Sequence, residues 1–187
     1  MAIRVVLVGF MGAGKTTVGK LLAGQLRCLF IDLDNEIVDC ERRPIPQIFR
    51  ESGEPGFRKL ERSTLRSLIT SLDHPDLDRA PREEAGYILA VGGGAYSDAE
   101  NAALLRQYGW TSVFLDAPID ELRRRCAAEA ADRPLARDEN HFRQLYEARR
   151  GSYMAADLRV DTAGKTPGQV AQEIAGQVLL FKRQAKS

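Results

Sequence analysis

Residues Gly9 to Thr16 read Gly-Phe-Met-Gly-Ala-Gly-Lys-Thr and fit the pattern G-x-x-x-x-G-K-[ST]. Nothing else in the chain constrains its fold as tightly. The run from Ile3 to Val8 is apolar and β-branched, as a buried strand requires. Residues 15–26 follow with Val18, Leu21, Leu22 and Leu26 at helical spacing. A glycine-rich loop between a strand and a helix lets the backbone wrap close to a phosphate with its N–H groups turned inward. The helix N-terminus adds partial positive charge. Lys15 is placed to reach the β- and γ-phosphates of a nucleotide, and the Thr16 hydroxyl to ligate Mg²⁺.

The alternation of strand and helix continues beyond the loop. A short strand is expected at Cys28–Ile31, leading into Asp32-Leu33-Asp34, then a helix over about 35–41. A further helix begins near Ile45 and stops at Gly53. A longer one runs from about Pro55, where the missing N–H of proline costs nothing, to Ser71. Residues 72–86 are charged, carry two prolines and read as an exposed surface loop. Further strands are expected at Tyr87–Val91, Thr111–Leu115 and Leu158–Val160. Further helices are expected over about 98–108, 118–128, 139–150 and 167–182. Alternating βα units predict an α/β fold with a parallel sheet between helical layers. Ligands in such sheets bind at the carboxyl ends of the strands, so 9–16, 32–34 and 92–94 should share one crevice.

Composition narrows the class. A chain of 187 residues suffices for a single domain with a sizeable core. A net charge of +1 argues against nucleic-acid binding driven by bulk electrostatics. The three cysteines, at 28, 40 and 126, form no C-x-x-C pair and suggest neither a disulfide framework nor a zinc site. No apolar run approaches membrane-spanning length. The first strand starts too early for a signal peptide, so a cytoplasmic protein is expected.

The second substrate is to be sought after the other strands. Asp32 and Asp34, spaced i, i+2, suit magnesium, a hydroxyl or a helix cap. Arg58 and Glu61, spaced i, i+3, share a helix face, and a glutamate so placed can aim a guanidinium at a planar anion. A solvated surface pair is the alternative, and the other charges of this helix, Arg62 included, read that way. Gly92-Gly93-Gly94 after a strand offers close backbone approach to a ligand. Arg133-Pro134-Leu135 lies in a polar stretch able to close over a nucleotide, and Arg149 and Arg150 end a helix.

In order and spacing, these pieces resemble shikimate kinase. The carriers are Gly9–Thr16, Asp32-Leu33-Asp34, Ile48-Phe49 before Gly53-Glu54-x-x-Phe57-Arg58-x-x-Glu61, and Gly92-Gly93-Gly94-Ala95. Arg133-Pro134-Leu135, Arg149 before Tyr153, Arg159-Val160-Asp161-Thr162 and Pro167-Gly168 complete the set. The resemblance implies ATP-dependent phosphorylation of the shikimate 3-hydroxyl, on the route to chorismate and the aromatic amino acids. It implies a three-layer P-loop kinase fold with a five-stranded parallel sheet, a substrate-binding region at about 33–61 and a mobile lid at about 127–138, all within one domain. It places Gly12, Ala13, Gly14, Lys15, Thr16 and Thr17 on the nucleotide phosphates, with Arg133 as the lid arginine. Arg125, or alternatively Arg124, and Pro167 flank the adenine. Thr16 and Asp32 serve Mg²⁺. Arg58 and Arg149 grip the substrate carboxylate, with Phe57, Gly92, Gly93 and Gly94 beside it. Glu61 orients Arg58, and Asp34 meets the substrate hydroxyls. Lys15, Asp34 and Arg133 form the catalytic set. The implied partners are small molecules, ATP and shikimate, with neither nucleic acid nor membrane, on a monomer. Two segments depart from the family pattern: the long loop 72–86 and the Ala-Glu-Ala-Ala-Asp run before Arg133.

Two rival readings exist. A gluconate kinase would also bind a carboxylate and hydroxyls, but Phe57-Arg58 and the triple glycine favour shikimate. A GTP-dependent switch would use a D-x-x-G motif, and Asp161-Thr-Ala-Gly164 matches one; it comes late in the chain, and no N-K-x-D guanine-reading motif accompanies it.

Overall fold

The strand that precedes the phosphate loop, β1 (Arg4–Val8), lies at the middle of the sheet, with Val5, Val6, Leu7 and Val8 fully buried. The computed structural model describes residues 3–73, 86–128 and 139–184. Within them β1 is followed by α1 (Lys15–Leu26), β2 (Leu29–Asp32), α2 (Leu33–Glu41), α3 (Ile45–Asp73) and β3 (Tyr87–Ala90). Then come a 3₁₀ turn (Ala95–Ser97), α4 (Ala99–Gln107), β4 (Thr111–Asp116), α5 (Ile119–Ala128), α6 (Glu139–Met154), β5 (Leu158–Asp161) and α7 (Pro167–Gln184).

The five strands are parallel and ordered β2-β3-β1-β4-β5, as the expected P-loop kinase architecture requires. Val6 is in register with Leu89 of β3 on one side and Ser112 of β4 on the other. The chain leaves β1 for one half of the sheet and returns to fill the other. The strand order therefore reverses beside β1, and the loop after β1 opens into the crevice at that switch point. A doubly covered strand should be apolar throughout, and β3 and β4 are buried at every position.

Helix boundaries follow local chemistry. Gly12 in the phosphate loop has φ of 79°, a region costly for other residues. A Cβ there would also lie 2.6 Å from the Leu122 carbonyl oxygen of α5. Gly53, with φ 65° and ψ −179°, breaks α3 into the two helices expected from the sequence. The second half runs past Ser71 to Asp73, whose carboxylate meets Arg4 of β1 at 2.7 Å. Leu72 and Asp73 are thus helical, and 74–85 of the expected surface loop lie outside the described residues. So does most of the expected lid, Arg133 included; residues 127 and 128 close α5.

Candidate active site

The carboxyl ends of β1, β2 and β3 do bring residues 9–16, 32–34 and 92–94 to one side of the sheet. In the phosphate loop, the Lys15 ammonium donates to the carbonyls of Gly9 at 2.9 Å and Phe10 at 3.1 Å. This bends the side chain over the loop. Ala13 is buried beneath it, while Thr16 and Thr17 are exposed in the first turn of α1. Gly14, at φ 85°, caps that helix.

Asp32 ends β2 and uses both carboxylate oxygens. Oδ1 accepts from the Asp34 backbone N–H at 3.1 Å, which caps α2, and Oδ2 accepts from the Thr16 hydroxyl at 2.8 Å. Of the alternatives from the sequence the cap is realised, and the second oxygen is turned to the phosphate loop. The cap also moves the start of α2 forward to Leu33 from the expected position near 35. Asp34, one turn-step onward and half-buried, points elsewhere. A Cβ placed on Gly92 would lie 3.2 Å from Asp34 Oδ1 and 2.9 Å from Glu61 Oε1, so the two carboxylates converge at the first residue of the triple glycine.

Glu61 is only 1% exposed. The surface-pair alternative for Arg58 and Glu61 is therefore wrong: Glu61 Oε2 accepts from Arg58 Nη1 at 2.7 Å inside the protein. Its other oxygen, Oε1, has no hydrogen-bond partner among the described residues. Burial pushes the Glu61 carboxyl above its ordinary value; Arg58 pulls the other way without cancelling it, and the nearby Asp34 charge adds a smaller push upward. Arg58 in turn is held charged by Glu61 and Glu54 despite its own burial. Its Nε and Nη2 donate to Glu54 Oε1 at 3.3 and 3.1 Å, an i, i+4 contact that the sequence reading missed although the spacing was there to see. Arg62 is not a free surface charge either; it pairs with Asp98, the cap of α4, at 3.2 Å.

The guanidinium of Arg58 stands directly above Gly94, where a Cβ would lie 2.5 Å from Nη2. Phe57, expected at the ligand, is 4% exposed; it stacks on Phe49 at 4.5 Å and lies 5.3 Å beneath the Arg58 carbon Cζ. It serves as the floor of the arginine. Arg149 arrives from α6, its Nη1 3.5 Å from where a Gly93 Cβ would be. Burial lowers its affinity for the proton, and the neighbouring Arg58 charge adds to that effect. Two cations thus converge on adjacent residues of a loop without side chains, with an acidic pair beside its first glycine.

Farther along the crevice, Arg125 of α5 donates to the Thr162 carbonyl at 3.1 Å and the Thr162 hydroxyl at 3.2 Å, and pairs with Glu121 at 2.6 Å. Thr162 opens the short loop that ends at Pro167, the first residue of α7. Arg124 instead points to solvent, 77% exposed. Asp116, at the end of β4, was not singled out by the sequence. It is nearly buried and binds Arg159 at 2.6 Å, with Arg150 at 3.6 Å, linking β4, β5 and α6 behind the phosphate loop.

Known proteins resemble this chain over most of its length. The family model for shikimate kinase matches residues 11–179. The shikimate kinase of Persephonella marina is 36% identical over 175 residues, which are 94% of this chain and 98% of that protein. A shikimate kinase from Acinetobacter baumannii, solved in complex with shikimate, superimposes with a TM-score of 0.82 at 34% identity, covering 97% of this chain and 96% of that one. A gluconokinase from Sinorhizobium meliloti reaches a TM-score of 0.68 at 16% identity, with coverage of 98% and 95%, and shares the fold alone. The chain belongs to the shikimate kinase family, whose members are ATP-dependent kinases.

Proposed function

We infer that this protein transfers the γ-phosphoryl group of ATP to the 3-hydroxyl of shikimate, and that the cleft between Arg58, Arg149 and the triple glycine holds the acceptor. The observation that carries the reading is the pair of partly buried guanidinium groups converging on Gly93 and Gly94 beside two carboxylates. Buried cations call for an anion, and a planar carboxylate fits an arginine fork. The acidic side of the same cleft suits hydroxyls: Asp34 accepts from them, and Glu61 Oε1, without a hydrogen-bond partner among the described residues, is a buried acceptor for a donor. A molecule with one carboxylate and a row of hydroxyls answers both halves.

Phosphoryl transfer asks the protein chiefly for positioning and charge neutralisation. The loop amides from Gly12 to Thr16 and the exposed Thr17 receive the phosphates. Lys15 exchanges the Gly9 and Phe10 carbonyls for phosphate oxygens and stabilises charge on the transferring group. Arg133, on the lid, supplies a second cation. Arg125 and Pro167 frame the base, a role for which the Arg125 contact with the 162–167 loop speaks and the solvent-facing Arg124 does not. Asp34 orients the acceptor hydroxyl and stands where its proton would go.

The Thr16 hydroxyl and Asp32 carboxylate, 2.8 Å apart at the start of α1, fit Mg²⁺. That ion binds one or two protein oxygens, completes its shell with phosphate and water, and neutralises phosphate charge. No cluster of three acidic, histidine or cysteine side chains exists among the described residues, and this ion needs none. A single domain acting as a monomer in the cytoplasm is the simplest setting; no helix among the described residues is long and apolar enough to cross a membrane.

A coupled assay of ADP release tests the assignment. ATP alone should give background turnover, shikimate should stimulate it strongly, and gluconate should not. Equal stimulation by gluconate would overturn the substrate assignment, and GTP preferred over ATP would overturn the kinase reading.

A further inference from the structure

We propose that Tyr153 is a positioning residue for the acceptor: its buried hydroxyl clasps Arg149 to the Gly93 carbonyl and so fixes the guanidinium where a substrate carboxylate meets it. The inference rests on the reading of this cleft as the shikimate site.

Arg149 and Tyr153 are four residues apart on α6 and therefore share a face. The tyrosine is fully buried, its ring 5.3 Å from that of Phe114 in β4. A phenol has one hydrogen to give and lone pairs to receive. Here the hydroxyl donates to the carbonyl oxygen of Gly93, while the Arg149 guanidinium and the Ser97 hydroxyl lie near enough to act on the phenol oxygen. The three groups meet at one point: a Cβ on Gly93 would be 3.5 Å from Arg149 Nη1 and 3.6 Å from the phenol oxygen.

The direction of these bonds is fixed. Burial pushes the Tyr153 phenol up to about 12, outweighing the opposite pull of Arg149, so the proton stays on the oxygen at any working pH. The hydroxyl then donates to Gly93, and towards a guanidinium, which has no lone pair to offer, its oxygen can only accept. It neither gives nor takes a proton during turnover. Arg149 needs such a tether because it is a long side chain with much rotamer freedom and a charge disfavoured by burial. Arg58, over the next glycine, has Glu61 and Glu54 for the same purpose. The two arginines are thus aimed by different chemistry, one by carboxylates and one by a phenol that adds no negative charge to a site meant for an anion.

The test is Tyr153→Phe, which deletes one oxygen and keeps the ring against Phe114. Assays at 15 °C, with circular dichroism to confirm folding, remove any modest stability loss from the comparison. The shikimate KM should rise about tenfold, in keeping with the loss of one hydrogen bond to a charged group. The ATP KM should stay within about twofold, because no phosphate-loop contact changes. The decisive measurement is a cycle with Arg149→Ala, read as shikimate Kd by titration calorimetry. With Arg149 truncated, Tyr153→Phe should have no further effect. A shikimate KM unchanged in Tyr153→Phe overturns the proposal. So does an equal loss for both substrates, or the same fold-change with and without Arg149. A parent enzyme that fails to phosphorylate shikimate would overturn the substrate assignment itself, a separate result from the ratios between variants.

Discussion

Gly94→Ala perturbs the aim of Arg58 without straining the backbone. Gly94 has φ −100° and ψ −19°, a conformation alanine adopts freely. Backbone strain is absent, and the change lowers unfolded-chain entropy, worth about 0.4–1 kcal/mol in favour of the fold. The added methyl nevertheless lands 2.5 Å from Arg58 Nη2 and 2.6 Å from its Cζ and Nη1. Ordinary contact begins at 3.4 Å, so the guanidinium must move by 3.4 − 2.5, or 0.9 Å. It sits at the end of a flexible side chain and can do so. A displacement of that size, however, can stretch the 2.7 Å bond to Glu61 towards 3.6 Å, beyond hydrogen-bond range. The arginine is then neither braced nor aimed. Losing an aimed, partly buried charge pair costs roughly 2–5 kcal/mol, which at about 1.4 kcal/mol per decade is at least about 30-fold in affinity. Titration calorimetry should show that loss for shikimate, with ADP affinity within about threefold of the parent, while the entropy gain in the unfolded chain offsets part of the stability lost with the Glu61 bond. In an Arg58→Ala background the same methyl should cost nothing. Parental shikimate affinity in Gly94→Ala, or an undiminished effect without Arg58, would refute the placement of Arg58 over the acceptor.

Other substitutions probe the remaining roles. Lys15→Ala should lower turnover by at least about 10²-fold, the scale of losing one transition-state donor. It should leave thermal unfolding nearly unchanged, since the ammonium reaches out of the core to the loop carbonyls of Gly9 and Phe10; near-normal turnover would sink the phosphate-loop assignment. Asp34→Asn should keep ATP affinity within a few-fold and lower turnover by about 10²-fold or more; loss of magnesium–nucleotide binding with shikimate affinity intact would move Asp34 to the metal. Glu61→Gln should weaken shikimate binding without destabilising the protein at neutral pH. Burial raises the Glu61 carboxyl above 4.5, so the folded state takes up that proton more readily than the unfolded chain. The stability this group contributes is therefore full below pH 4.5 and lost as pH rises through the raised value. Chemical unfolding across pH should show the variant gaining on the parent from acid to neutral; the opposite slope would mean the Arg58 pair outweighs burial.

Much of this was legible in the sequence because its signals are local. A glycine loop, a β-branched run and an apolar period fixed β1, the phosphate loop and α1, and the helix spans Lys15–Leu26 as expected. Gly53 broke α3 where a glycine followed shortly by proline predicts. The misses share a cause, tertiary enclosure. Nothing in the spacing of Glu61 distinguishes it from Glu54, yet one is 1% exposed and the other 62%, because the triple-glycine loop packs over one alone. Helix α6 runs to Met154 and not to 150, through a Gly-Ser pair of weak helix formers, as burial of Tyr153 against Phe114 and the Gly93 bond hold its last turn. The brace from Asp116 to Arg159 joins neighbouring strands whose partnership no local pattern records. The 3₁₀ turn at Ala95–Ser97 was missed because three residues are too few to show a period.

The pair Asp32 and Asp34 shows how the fold divides work that the sequence left shared. Both carboxylates were open to metal, hydroxyl or cap. The strand ends at Asp32, and only an extended residue there can turn its side chain back to cap the helix it precedes; its φ of −115° and ψ of 117° meet that condition. Its second oxygen is then directed at Thr16, on the nucleotide side. Asp34 is already helical, so its side chain leaves the axis in another direction, towards Gly92 and Glu61 on the acceptor side. Exchanging the two roles would require α2 to start two residues later, which would remove the cap and draw Asp34 away from the cleft. A single cap bond, Asp34 N–H to Asp32 Oδ1, therefore sets which aspartate faces which substrate. Asp32→Ala should for this reason disturb both sides at once, weakening magnesium–nucleotide binding and also raising the shikimate KM through a misplaced Asp34. An effect of Asp32→Ala confined to the nucleotide would mean that α2 holds Asp34 in place without its cap.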